Sequence, residues 1–205
     1  MIITDINPQK KKGRYNLFVD GEFYSGIGEE SLIKNSLKVG KEVVKEELDL
    51  AIIDSETRDA FEKLINLVSR QMQTKFEIKQ KLLKYGYSEN VIKLAIKKAE
   101  EYRYVDDELY AKLFVDSKKN KSKLEIKSQL FKKGIDKNII DEKTEVINEE
   151  QEKNRVALLA EKYMKNKEVN QKTLGGLYGY LSRKGFSLEI VNSILRKYKF
   201  EEFGG

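Results

Sequence analysis

The chain copies itself, and that limits its folds more than any other feature. Segments 74–86, 122–134 and 173–185 align so that Gly86, Gly134 and Gly185 coincide, 48 and 51 residues apart. A repeat of this length is one supersecondary unit that buries its apolar face only with neighbouring helices. Thr74, Ser122 and Thr173 stand where an N-cap hydroxyl accepts a backbone N–H, and Glu77 and Glu125 would complete capping boxes; the third copy has Gly176 at that place. Ile78/Leu82, Ile126/Leu130 and Leu177/Leu181 form an i, i+4 apolar stripe, and each glycine then ends its helix in the left-handed conformation. Beyond the glycines, Tyr87, Ile135 and Phe186 precede the caps Ser88, Asp136 and Ser187, with Ile92, Ile140 and Val191 at hydrophobic-staple spacing.

A third helix, over 57–72, 107–119 and 153–166, precedes the helix–glycine–helix of each copy and closes a small core. The expectation is mainly α: three tandem three-helix bundles over 57–106, 107–148 and 149–205, behind a β-rich unit with a helix over 1–56. With helices of roughly 22 Å, three such bundles in a row predict an elongated, curved rod. Before them, Ile2–Ile6 and 14–19 read as strands, and Asp20-Gly21 is a two-residue hairpin turn before Glu22–Ser25. Gly26-Ile27-Gly28 lacks the ending of a phosphate loop and reads as an ordinary loop.

Composition narrows the function. The 205 residues include no cysteine and no histidine, which removes thiol catalysis, disulfides, zinc-finger spacing and a Ser/His nucleophile pair. No catalytic, cofactor or metal site is expected, and the chain is read as non-enzymatic. No apolar run approaches the ~18 residues of a membrane span, and no basic signal flank follows Met1. A soluble, cytoplasmic monomer is expected. Residues 1–56 carry 8 Lys/Arg against 11 Asp/Glu, net −3, whereas 57–205 carry 32 against 23, net +9. A basic body behind an acidic head suits a negatively charged partner.

The sequence resembles the RecX family of bacterial recombinase regulators along essentially its whole length. The most specific residues are Ser69-Arg70, Leu82 to Ser88, Val91-Ile92 and Tyr104 to Ala111, joined by Lys132 to Ile135, Arg183 to Ser187, Gly13 to Tyr15 and Asp20 to Phe23. The resemblance implies a regulator that binds the RecA recombinase filament along its helical groove and suppresses ATP hydrolysis and strand exchange. The rival reading is a direct binding module for single- or double-stranded DNA, because helix-turn-helix proteins also place short helices around a glycine turn.

The candidate contact residues are basic. Lys118, Lys119, Lys121, Lys123, Lys127, Lys132 and Lys133 put seven lysines against one acid, Glu125, within 118–133. Leu124, Leu130 and Phe131 are expected to point inward, with Lys123 and Lys127 on an outer face. Lys75, Lys79 and Lys84 in the first copy, and Arg183 and Lys184 in the third, hold related places. Together the copies would bind multivalently. Asp106-Asp107-Glu108 reads as helix capping rather than a metal cluster, and Tyr104 and Tyr110 as packing residues. Gly175, Gly176 and Gly179 would let their helix either bend or approach a partner closely.

Overall fold

The structure, a computed structural model, describes residues 1–203. Gly204 and Gly205, the end of the third expected bundle, lie outside the described residues. The chain separates into two compact units, Met1–Val105 and Asp106–Gly205.

In the first unit, β1 (Ile3–Pro8), β2 (Arg14–Val19) and β3 (Glu22–Gly28) form an antiparallel sheet in the order β1-β2-β3. Asp20 and Gly21 both take positive φ, 49° and 88°, as the two-residue turn requires. β3 runs through Gly26-Ile27-Gly28, where a loop was expected. Ile27 explains the difference: it is fully buried among Ile3, Leu17 and Leu48, so the alternation of the strand continues through the small residues around it.

Helix α1 (Glu29–Lys34) follows directly, then α2 (Lys45–Val68). α2 is one unbroken helix of 24 residues that crosses the boundary expected at 56/57, where a separate helix over 57–72 was expected to begin. No glycine or proline interrupts it. Ser55, a natural capping residue, instead accepts the Gly28 backbone N–H at 2.8 Å and is buried against the sheet. Asp59 on the same helix ion-pairs with Arg14 of β2. One helix therefore serves two cores: Leu48 and Ile52 belong to the sheet, while Ala60 and Leu64 belong to the first bundle.

That bundle is completed by α3 (Lys75–Lys84) and α4 (Glu89–Glu101), around Ile78, Leu82, Ile92 and Ala99. Thr74 accepts the Glu77 N–H and Glu77 returns a bond to Thr74, a full capping box.

In the second unit, α5 (Asp107–Ser117), α6 (Lys123–Lys132) and α7 (Lys137–Glu145) enclose Ala111, Val115, Ile126, Leu130, Ile135, Ile140 and Ile147. Then α8 (Glu149–Met164), α9 (Gln171–Arg183) and α10 (Leu188–Phe203) enclose Val156, Ala160, Leu177, Leu181, Phe186 and Val191. Gly86, Gly134 and Gly185 all adopt positive φ, 87°, 72° and 80°. The three bundles are thus built to one plan.

Two capping expectations need correction. Ser122 accepts the Glu125 N–H, but the Glu125 carboxylate turns to Lys121 and Gln129 rather than back to the cap. The third copy starts three residues earlier than expected: Asn170 is its N-cap, and Thr173 is the residue that completes a capping box with it. An Asn three residues before a hydroxyl satisfies two helix N–H groups, where Thr173 alone would satisfy one.

Candidate partner interface

The buried stripe of α6 is Ile126 and Leu130, and it fixes where every other side chain of that helix lies. Leu124 and Phe131, expected inside, are 65% and 72% exposed. With 3.6 residues per turn, both fall on the side opposite the stripe. Lys123 and Lys127 correspondingly leave the outer face: both are half-buried. Lys123 Nζ donates to the Ile147 carbonyl at 3.2 Å, and Lys127 pairs with Asp141 of α7 at 2.5 Å. Hydrogen bonding from Lys127 holds the Asp141 carboxyl below the usual carboxylate range. The exposed face of α6 is therefore apolar at its centre, and the two lysines meant to lead it hold the bundle together.

The remaining cations divide the same way. Lys121 pairs with Glu125 at 2.5 Å. Lys118 lies 5.1 Å from the Phe114 ring and Lys133 5.6 Å from the Tyr110 ring, both cation–π contacts. In the first bundle Lys75 pairs with Glu100 at 2.8 Å and Lys79 with Glu89 at 3.0 Å. In the third, Lys184 is half-buried with its ammonium 6.0 Å from the Tyr180 ring. Such pairs at partly exposed positions contribute at most about 1 kcal/mol each, yet they occupy the charge.

Four candidates remain exposed, with no ion pair among the described residues: Lys84, Lys119, Lys132 and Arg183. Three of these are equivalent. Lys84, Lys132 and Arg183 are the last residues of α3, α6 and α9, each two positions before the turn glycine. Placement at a helix C-terminus is itself favourable for a cation, through the helix dipole. Their charge is nonetheless open to a partner, and it recurs once per bundle.

Other features gave little signal in the sequence. The second and third bundles are sewn together by polar contacts far apart in the chain. Ser122 Oγ donates to the Lys184 carbonyl at 2.7 Å, Glu152 accepts the Lys123 N–H at 2.7 Å, and Arg155 donates to the Lys121 carbonyl at 2.9 Å. Tyr104, expected as a packing residue, is 53% exposed and packs in a surface cluster with Phe61 and Tyr102, whose ring centroids lie 6.3 and 6.1 Å away. Tyr110 does pack, half-buried against the second core and stacked on Phe114. Asp106 accepts the Leu109 N–H at 2.9 Å as the N-cap of α5, and Glu108 pairs with Lys143, so the acidic run does cap its helix. Hydrogen bonds to Glu142 and then Glu108 raise the Lys143 ammonium above its ordinary pKa.

In α9 the glycines differ. A Cβ on Gly176 would run into the Tyr163 hydroxyl, so this glycine serves close helix packing, while Gly175 faces open space. Among the described residues no group of three or more acidic side chains is placed to hold a metal ion, and no helix is long and apolar enough to cross a membrane.

Tandem three-helix bundles with a small N-terminal sheet place the chain in the class of helical-repeat proteins. Comparison with known proteins gives the family. The RecX N-terminal domain matches residues 1–44, the first RecX three-helix domain residues 60–98, and the second residues 106–143. The regulatory protein RecX of Clostridium beijerinckii is 34% identical over 201 residues, covering 95% of this chain and 94% of its own. That of Clostridium tetani is 30% identical, covering 98% and 95%. A crystal structure of regulatory protein RecX superposes with a TM-score of 0.68 at 26% identity, covering 94% of this chain and 98% of the other; RecX from Lactobacillus salivarius gives 0.63 at 25%, covering 71% and 97%. The chain belongs to the RecX family of regulatory proteins.

Proposed function

We propose that this protein regulates the RecA recombinase by docking along its nucleoprotein filament and inhibiting ATP hydrolysis and strand exchange. The observation that carries the reading is the recurrence, at the same helix-end position of each bundle, of an exposed cation with no ion pair among the described residues: Lys84, Lys132 and Arg183. A polymer with regularly spaced negative groups is the kind of partner that a repeated cation fits, and linked modules gain avidity of about 10²–10⁴ over a single one. Docking shifts a filament only through differential affinity for its states, so inhibition means preferring a state poor in ATP turnover or in admitting duplex DNA. No enzymatic step is assigned to this chain, which acts as a monomer in the cytoplasm. The test is the ATPase rate of recombinase on single-stranded DNA, titrated with this protein at two salt concentrations. A rate that stays constant at saturating protein would overturn the reading.

A second reading, direct contact with single-stranded DNA, is favoured by the surface cluster of Tyr102 and Tyr104, with Lys98 4.8 Å from the Phe61 ring. Exposed aromatics beside cations provide stacking platforms for bases. Steep salt dependence of binding to free single strands, without recombinase, would support it.

A further inference from the structure

Within the second unit, the end of α5, the turn after α7 and the outer side of α8 border a groove of about 330 Å³. Arg155 of α8 lies in its wall, half-buried. Its guanidinium donates to the Lys121 carbonyl and pairs with no carboxylate among the described residues. The nearest acid on its own helix, Glu152, has Oε1 engaged by the Lys123 backbone N–H. Burial lowers the pKa of the Arg155 guanidinium, opposed in part by Glu152, but an arginine stays charged. The fork retains donors that no group among the described residues uses.

The rest of the groove gives that cation a setting. Lys119 lines it, exposed and without an ion pair among the described residues. Val146 and Leu158 line it as well, each 63% exposed, with Val115 at its base. Asp116 is the single acid in the lining. A phosphate backbone would meet two apolar side chains and one carboxylate here, a poor match for a polyanion. A carboxylate beside an apolar side chain matches point for point: the arginine fork accepts the carboxylate, Lys119 adds charge, and Val146 and Leu158 cover the apolar neighbour.

We propose that this groove docks a protein segment carrying an acidic side chain next to an apolar one, with Arg155 as the carboxylate anchor and Leu158 as the apolar contact. The inference rests on the reading of the protein as a filament regulator, and it assigns the segment to the recombinase protomer rather than to DNA.

The experiment measures equilibrium binding of labelled full-length protein to recombinase filaments on single-stranded DNA, and separately to the bare strand. Variants are Arg155→Gln and the surface pair Lys119→Ser with Leu158→Ser. The surface pair touches no buried contact, so it reports even if Arg155→Gln unfolds. Expected is a filament affinity lower by about tenfold or more in each folded variant, the range of an anchoring contact, with bare-strand binding unchanged. Variants that are folded and bind filaments like the wild type overturn the groove alone. Parallel loss on the bare strand assigns it to phosphates and overturns it too. Wild-type protein that fails to bind filaments overturns the parent reading and this one together.

Discussion

Ser122 closes two helices at once: its hydroxyl accepts the Glu125 N–H at 3.1 Å, starting α6, and donates to the Lys184 carbonyl at 2.7 Å, finishing α9. The Gly185 turn lies so close that a Cβ there would stand 2.9 Å from the same hydroxyl. A residue that the sequence identifies only as a local cap is therefore also a joint between bundles. Ser122→Ala removes the cap, about 1 kcal/mol, and deprives the part-buried Lys184 carbonyl of this donor, about 1 kcal/mol more. Ser88, which caps α4 through Val91 alone, is the control, and Ser88→Ala should cost about 1 kcal/mol. Urea unfolding of both variants checks this, and equal losses would show that the bond to Lys184 contributes nothing.

The contrast between those serines marks how far the sequence can be read. Caps, glycine turns and the Ile/Leu stripes are local: each depends on residues within four positions, and all three turns stand where the glycines predict them. Two local details escaped as well, the Asn170 cap three residues before Thr173 and the turn of Glu125 to Lys121 and Gln129, but most of what escaped depends on distant partners. Phe131 is apolar and adjacent to Leu130, so composition alone assigns both to the core, yet only one lies on the side that α5 and α7 cover. Asp141 decides the fate of Lys127 from another helix, and Gly28 decides that of Ser55 from the sheet. The candidate site was legible as a set of cations but not as a surface, because exposure depends on which neighbours take each charge. Lys84, Lys132 and Arg183 could have been singled out by register, as the residue two before each turn glycine.

The glycines of α9 give opposite expectations. Gly175 faces open space and is exposed, so Gly175→Ala gains helix propensity, about 1 kcal/mol, without a clash. Gly176→Ala gains the same propensity but displaces Tyr163, whose ring stacks on Tyr180 at 5.2 Å and lies 3.3 Å beneath the Lys167 ammonium. The first variant should raise the unfolding midpoint and the second should fall below it, at or under wild type. A rise of equal size in both would remove the close-packing account of Gly176.

Alkaline pH should loosen the N-terminal unit, in part through Tyr24. Tyr24 of β3 donates to Asp49 of α2 at 2.7 Å, and that bond, with burial and the charge of the carboxylate, pushes the phenol up to about 12. The folded state holds the proton more tightly than the unfolded chain, whose value is near 10. Its contribution is thus complete below pH 10 and is lost as pH rises through about 12. Tyr24→Phe should be less stable than wild type at pH 8, and the difference between the two should shrink between pH 10 and 12. Melting curves across that window test it, and a constant difference would remove the proton linkage.

The repeated cation gives the most direct test of docking. Lys84, Lys132 and Arg183 are exposed and carry no ion pair among the described residues, so a triple change to Ser should keep the protein folded and cost only the helix-dipole contribution, about 0.3–1 kcal/mol at each helix end. Lys79 and Lys127 are the contrast, since each is paired with a carboxylate of its own bundle. If the three open cations meet phosphates, their removal should lower the dependence of log affinity on log salt by about 0.7–0.9 for each charge. If they meet acidic side chains of the protein polymer, on-rate and affinity fall together, more at low salt than at high, with a smaller change in slope. Lys79→Ser with Lys127→Ser should shift neither quantity appreciably while lowering stability by up to about 1 kcal/mol per pair. Filament binding measured at four or more salt concentrations separates these outcomes. A triple variant that inhibits the recombinase ATPase with wild-type potency would mean that the recurrence of positive charge at the helix ends serves the helices alone.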